Sequence, residues 1–351
     1  MAHEISHASG RDEIAYAGET PWHGLGVKVE GLQTAGAMLH AAGLEWTVCT
    51  RPLYVHGERY GETFIEVPGH VGIRRDDTRQ ILGVATDRYV PIQNRQAGDM
   101  VDALVTEGGA HVEVAGVLGQ GERCWMLAHI PADFEVTKGD QVRPYFLLAW
   151  GHDGKHGLAG KLTPIRVVCN NTLTAAGFGK GVRWSESADV YIRHTGDAKV
   201  HIAEAHKALG IVRKQVETTA QAYQAMAGAR LEGQQVRGYF EGVFPPDLEV
   251  PEFGTPEREA YDEKLPKWQA HQDRLLELYE GGAGAQFSRG TAWGAYNAVT
   301  EWADHVYPVL QSGGVSLTRQ RSVLFGSYAD LKRRAFAGAL ELAGVPASEA
   351  A

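Results

Sequence analysis

The chain has 351 residues, 44% hydrophobic and 22% charged, a balance typical of a soluble globular protein with room for a large core. A formal charge of −9 argues against a protein that coats duplex DNA over its whole surface. The opening residues lack the apolar core of a secretory signal, and no later run reaches bilayer-spanning length. Cys49, Cys124 and Cys169 form no CxxC pair, so a reduced, cytoplasmic protein with no cysteine zinc site is expected.

In chain order, the first half reads as strands and turns. Segments 46–55, 62–67, 70–75 and 80–86 are short, β-branched and separated by Gly, Pro or Asp, which predicts an antiparallel meander. A helix follows Pro91, with Ala97, Val101, Leu104 and Val105 at helical spacing. Strands return in "HVEVAGVLG", "ERCWMLAHI" and "RPYFLLAWGHDG", and "IRVV" closes this part. Strands in groups around a single helix indicate α+β and not alternating βαβ units. The expected fold is an antiparallel β-rich N-terminal half, residues 1–190, followed by a mostly helical region, residues 191–351.

That helical region begins with one long helix from Thr195 to about Met226. Its apolar residues Ile202, Ala205, Leu209, Val212, Val216, Thr219, Tyr223 and Met226 alternate three and four apart, a narrow coiled-coil type of seam. The seam predicts packing within the chain or, failing that, a homo-oligomer through the 202–226 helix. A proline-rich acidic connector lies near 244–256, and Thr255 and Pro256 then read as N-cap and first residue of a helix. Pro266 predicts that this helix is split in two. Two further helical patterns follow, "GTAWGAYNAVTEWADHV" and "YADLKRRAFAGALELAG", the last ending at Gly344.

Charge is unevenly distributed. Gly151–Gln215 carries +5, while the rest of the chain carries −14. Aromatics lie among the cations of that zone: Trp150, Phe178, Trp184 and Tyr191 between Lys161, Arg166, Lys180, Arg183 and Arg193. Cations that track phosphates beside rings that stack bases are how single strands are held. Lys207 and Lys214 fall opposite the helical seam and complete the candidate set. Core aromatics beside solvated cations would give the same composition.

Cys169, Asn170 and Asn171 form a candidate polar turn where strand gives way to helix. One reading is a helix starting near Thr172, capped by Asn170 or Asn171, with Cys169 as a small buried residue. Others are a nucleophilic thiol at a helix N-terminus, or a phosphate held there beside Arg166. His152, Asp153 and His156 in "GHDGKHG" are the best metal candidates, but they supply no clear third ligand, so no metal and no cofactor are expected. No phosphate-binding loop and no nuclease-like carboxylate pair is present, so no catalytic residue is assigned.

Four segments in order, "PWHGLG", "DRYVPIQNRQA", "LTPIRVVCNNTL" with "RHTGDAK", and "GTAWGAYNAVTEWADH", resemble the phage/plasmid-like proteins of the domain-of-unknown-function 932 family. The resemblance implies a mobile-element setting in a bacterial host and leaves the chemistry open. With the basic zone, it leads to the expectation of a non-enzymatic accessory protein that binds or anneals single-stranded nucleic acid, with no membrane partner. An enzyme built on the Cys169 turn, or an anti-defence module that binds a host protein, are the alternatives.

Overall fold

The computed structural model describes residues 5–18, 25–31, 33–57, 64–166, 171–172, 188–192, 214–245, 252, 254–306, 311–312, 315–316 and 327–346. Two short strands, β1 (Ile14–Ala17) and β2 (Val27–Val29), precede helix α1 (Ala35–Ala42). Thr34 caps α1 by accepting a hydrogen bond from the Ala37 N–H at 3.2 Å, and Gly43 ends it at a φ of 74°. The strands β3 (Val48–His56), β4 (Phe64–Arg75) and β5 (Ile81–Thr86) form a separate three-stranded antiparallel sheet, followed by helix α2 (Asn94–Gly108).

Segments 62–67 and 70–75, read as two strands from their Pro-Gly separator, are one strand from Phe64 to Arg75. The separator is absorbed by a register shift: Pro52 pairs with Val71, but Tyr54 pairs with Glu66. Pro68 and Gly69 occupy that bulge, where a positive φ at Gly69 and a missing N–H at Pro68 cost no ladder bond.

Strands β6 (His111–Leu118), β7 (Arg123–His129), β8 (Phe134–Thr137), β9 (Asp140–Gly151), β10 (Leu158–Arg166), β11 (Asn171–Thr172) and β12 (Val190–Ile192) join β1 and β2 in a nine-stranded sheet. Its order is β11-β10-β9-β7-β6-β1-β2, with β12 also on β10 and β8 also on β9. All of its pairings are antiparallel except β1 with β2. One face packs α1 and α2 through Met38, Leu39, Ala97 and Val101 onto Val112, Met126, Leu148 and Trp150. The other carries a smaller cluster that includes Trp125, Leu147 and Ala159. Strand β10 runs well N-terminal of the predicted "IRVV" because Leu158 and Leu162 continue the buried alternation.

The three-stranded sheet is fixed to the body at one end, where Val48, Ile73 and Leu82 join the core. Arg75 is fully buried, bonded to Glu13 and donating to the Gln120 carbonyl at 3.0 Å, with its guanidinium 4.1 Å from the centroid of the Trp46 ring. A Cβ at Gly83 would fall on the backbone of Asp153, so β5 closes onto the 152–155 turn only because residue 83 has no side chain.

The second half is helical: α3 (214–228), α4 (Gly233–Val243), α5 (Pro256–Gly281), a short α6 (Ala285–Ser288), α7 (Ala292–Glu301) running into a π-turn at Trp302–Val306, and α8 (Ser327–Leu342). The chain is therefore α+β, β-rich first and mostly helical after. Thr255 caps α5 as predicted, accepting from the Arg258 N–H at 3.2 Å. The helix does not split at Pro266. That residue lies on an exposed stretch, where water can take the carbonyl bond its missing N–H releases. α7 is buried on every side, which its four Ala and Gly residues within 292–298 permit.

Over its described part the α3 seam faces the chain's own core. Tyr223 packs on Trp293 with ring centroids 4.7 Å apart, and Val216 and Met226 are buried. The oligomer expected through the 202–226 helix thus has no free apolar seam over 216–226; the earlier part of that helix lies outside the described residues. Among the described residues, no helix is long and apolar enough to cross a membrane.

One charged contact joins the two halves. Arg166, at the end of β10, donates to both carboxylate oxygens of Asp140 at 2.6 Å. Trp293 of α7 donates to the same carboxylate at 2.8 Å, and Arg166 reaches the Gly284 carbonyl at 3.0 Å. Asp140→Ala leaves the guanidinium buried and unpaired. It is expected to lower unfolding free energy by about 3–5 kcal/mol in urea titration, with Asp140→Leu/Arg166→Met recovering most of the loss. Gly83→Ala is expected to cost roughly 1–3 kcal/mol by the same measurement, since the new methyl group meets backbone.

Candidate functional site

The residues expected to line a nucleic-acid groove do not assemble into one over the described part of the chain. Arg166 is 1% exposed and its donors are consumed by Asp140, Gly284 and Ser288. Burial, the larger influence, holds the Lys161 amine below its ordinary value against the pull of Asp189. Lys214 is exposed at the start of α3. Lys180, Arg183, Trp184, Arg193, Lys207, Cys169 and Asn170 lie outside the described residues. Trp150 is a core residue whose indole N–H donates to Asn94 at 2.8 Å. The sequence motif was misleading here because a strand-end arginine beside a turn looks the same whether it meets a phosphate or a buried aspartate.

Asn171 is not a helix cap. With Thr172 it forms a short strand back along β10, Arg166 opposite Asn171 and Ile165 opposite Thr172. Asn170 and the residues after Thr172, where the helix was expected, lie outside the described residues.

The "GHDGKHG" residues also separate. His152 is buried, its Nε2 2.9 Å from the Asn94 side-chain oxygen and its ring edge-on to Trp46 at 5.3 Å. His156 turns instead to Asp153, 2.6 Å away. The described residues bring a different set within ligand distance, His111, Glu113 and His129.

The three-stranded sheet is the more open feature. Among the described residues, the large exposed apolar side chains are Val27, Tyr54, Val55, Phe64, Ile65, Ile81, Val84 and Val90. All except Val27 lie on this sheet or just after it. At the distal end Tyr54 pairs with Glu66, Val55 with Ile65 and His56 with Phe64. Alternation therefore puts Tyr54, His56, Phe64 and Glu66 on one face and Val55 with Ile65 on the other. Tyr54 is 55% and Phe64 68% exposed, and His56 meets Phe64 edge-on at 6.2 Å. Arg51 is exposed on β3, Arg74 lies on β4, and Arg79 and Arg88 are exposed around β5. Sequence held one signal of this: Tyr54-Val55 opposite Phe64-Ile65 leaves no fully polar face, unlike a strand with one solvated side.

The family profile described as "Domain of unknown function (DUF932)" matches residues 81–329. No curated protein and no solved structure matches the chain. The matched span takes in α2, most of the large sheet and the helices through α7, well over half of the chain. The chain belongs to the DUF932 family.

Proposed function

We propose that this protein binds single-stranded nucleic acid through the three-stranded sheet and promotes annealing, without catalysing a reaction. The observation that carries the reading is the concentration of exposed apolar and aromatic side chains on that sheet, with Tyr54 and Phe64 outermost. An apolar surface left in water in this way marks an interaction site. Rings stack on any base, while Arg51 and Arg74, which alternation puts on the opposite face with Val55, add positive charge to the sheet against the single Glu66 on the described part of β3 and β4. Stacking engages the face of a base and leaves its pairing edge open, which is the state in which a complementary strand can be met. The phage or plasmid setting implied by the family resemblance, and a cytoplasmic place in a bacterial host, belong to the same proposal.

A labelled single-stranded oligonucleotide is expected to shift in a native gel at low ionic strength and to be released steeply as salt rises. Tyr54→Ala/Phe64→Ala should weaken binding by tenfold or more, at about 1–3 kcal/mol per stacked base. Because both rings are exposed, the thermal midpoint should hardly move. Absence of any shift at low salt sinks the reading.

Arg51→Glu/Arg74→Glu is expected to lower affinity for every oligonucleotide sequence alike and to flatten the salt dependence. Pairing of two complementary labelled strands, followed by energy transfer, should run faster with the wild-type chain than without it.

A further inference from the structure

We propose that His111, Glu113 and His129 bind one divalent first-row cation, Zn²⁺ in first place, on the face of the large sheet turned away from α1 and α2. The proposal is independent of nucleic-acid binding. Strand register creates the site. His111 lies opposite His129 across β6 and β7, and His129 lies opposite Tyr145 across β7 and β9, so the three form one row. A register shift between Val112 and Val114 leaves Glu113 as an extra residue on β6 beside that row. Bulges re-aim side chains in this way next to functional sites.

One donor atom from each of His111, Glu113 and His129 lies within 4.8 Å of the others. A ring nitrogen of His111 is 3.1 Å from one Glu113 oxygen, and the Tyr145 hydroxyl donates to the other at 2.7 Å. Asp133 holds Nε2 of His129 at 2.7 Å, and Arg143 stands 3.7 Å from Asp133. Two imidazoles and a carboxylate suit zinc and leave one position of a tetrahedron for water or a ligand oxygen. Asp133 and Tyr145 act as outer partners that orient the ligands.

Two further atoms point to a missing polar partner. Nδ1 of His129 is buried and has no hydrogen-bond partner among the described residues. Thr163, opposite Tyr145 and next in the row, is fully buried, and its hydroxyl likewise has none. Buried polar atoms are rarely left so.

The test is titration of the chelator-stripped full-length protein with ZnCl₂ in a calorimeter. One saturable site is expected, with no heat from MgCl₂, because magnesium favours oxygen ligands. His111→Ala and Glu113→Gln should each weaken uptake by 100-fold or more. Asp133→Asn should weaken it about 10–100-fold, as loss of an outer partner does. Circular dichroism of each metal-free variant shows whether it is folded, and His111 and Glu113, both partly exposed, are the substitutions least able to disturb the core. Co²⁺ added to the wild type should give the intense visible bands of a four-coordinate ion, absent in Glu113→Gln. No stoichiometric uptake, or uptake undiminished in folded variants, would overturn the proposal and identify the cluster as a plain hydrogen-bond network.

Discussion

Asp140 and Arg166 are the charges on which the arrangement of the two halves depends. Taking both out of water is costly, and the cost is offset only when every donor and acceptor finds a partner. Here the partners come from distant places in the chain. The aspartate starts β9, the arginine ends β10, the indole belongs to α7 and the carbonyls of Ala283 and Gly284 lie in the turn before α6. Docking α7 and the turn before α6 onto the ends of β9 and β10 satisfies them together. The same device recurs twice more, with Glu13 holding Arg75 at the root of the three-stranded sheet and Asp304 holding Lys332 between the π-turn and α8.

Three of the four segments that carry the family likeness contain residues that fasten the fold. "DRYVPIQNRQA" contains Asn94, whose side chain donates to the Leu44 and Trp46 carbonyls and accepts from Trp150. "LTPIRVVCNNTL" contains Arg166, and "GTAWGAYNAVTEWADH" contains Trp293 within a helix buried all round. The likeness is therefore written in residues that hold the fold, whereas Tyr54, Phe64 and Arg51 lie before the matched span.

What sequence conveyed follows from which physics is local. Thr255 with Pro256, the stop at Gly344 and the strands of "HVEVAGVLG", "ERCWMLAHI" and "RPYFLLAWGHDG" depend on neighbours a few residues away, and these expectations hold. Pro266 and Pro68-Gly69 misled because exposure of one and a bulge around the other depend on what packs nearby. The His111–His129 pair was hidden by a single residue. Counting outward from the β6–β7 turn in uniform register would put the two histidines on opposite faces, and the extra Glu113 brings them to the same one. Arg166 was visible as a cation, but nothing near it in sequence announces Asp140 as its partner.

The three-stranded sheet has a geometric consequence. Its root is clamped by Arg75 and by the contact of Gly83, Val84 and Ala85 with the 152–155 turn, while β4 runs on from Val71, opposite Ala85, to Phe64. At about 3.3 Å per residue, that outer stretch reaches up to roughly 23 Å past the clamp. A ligand held on the exposed Tyr54 and Phe64 is bound beyond that clamp, so several molecules could share one long flexible polymer.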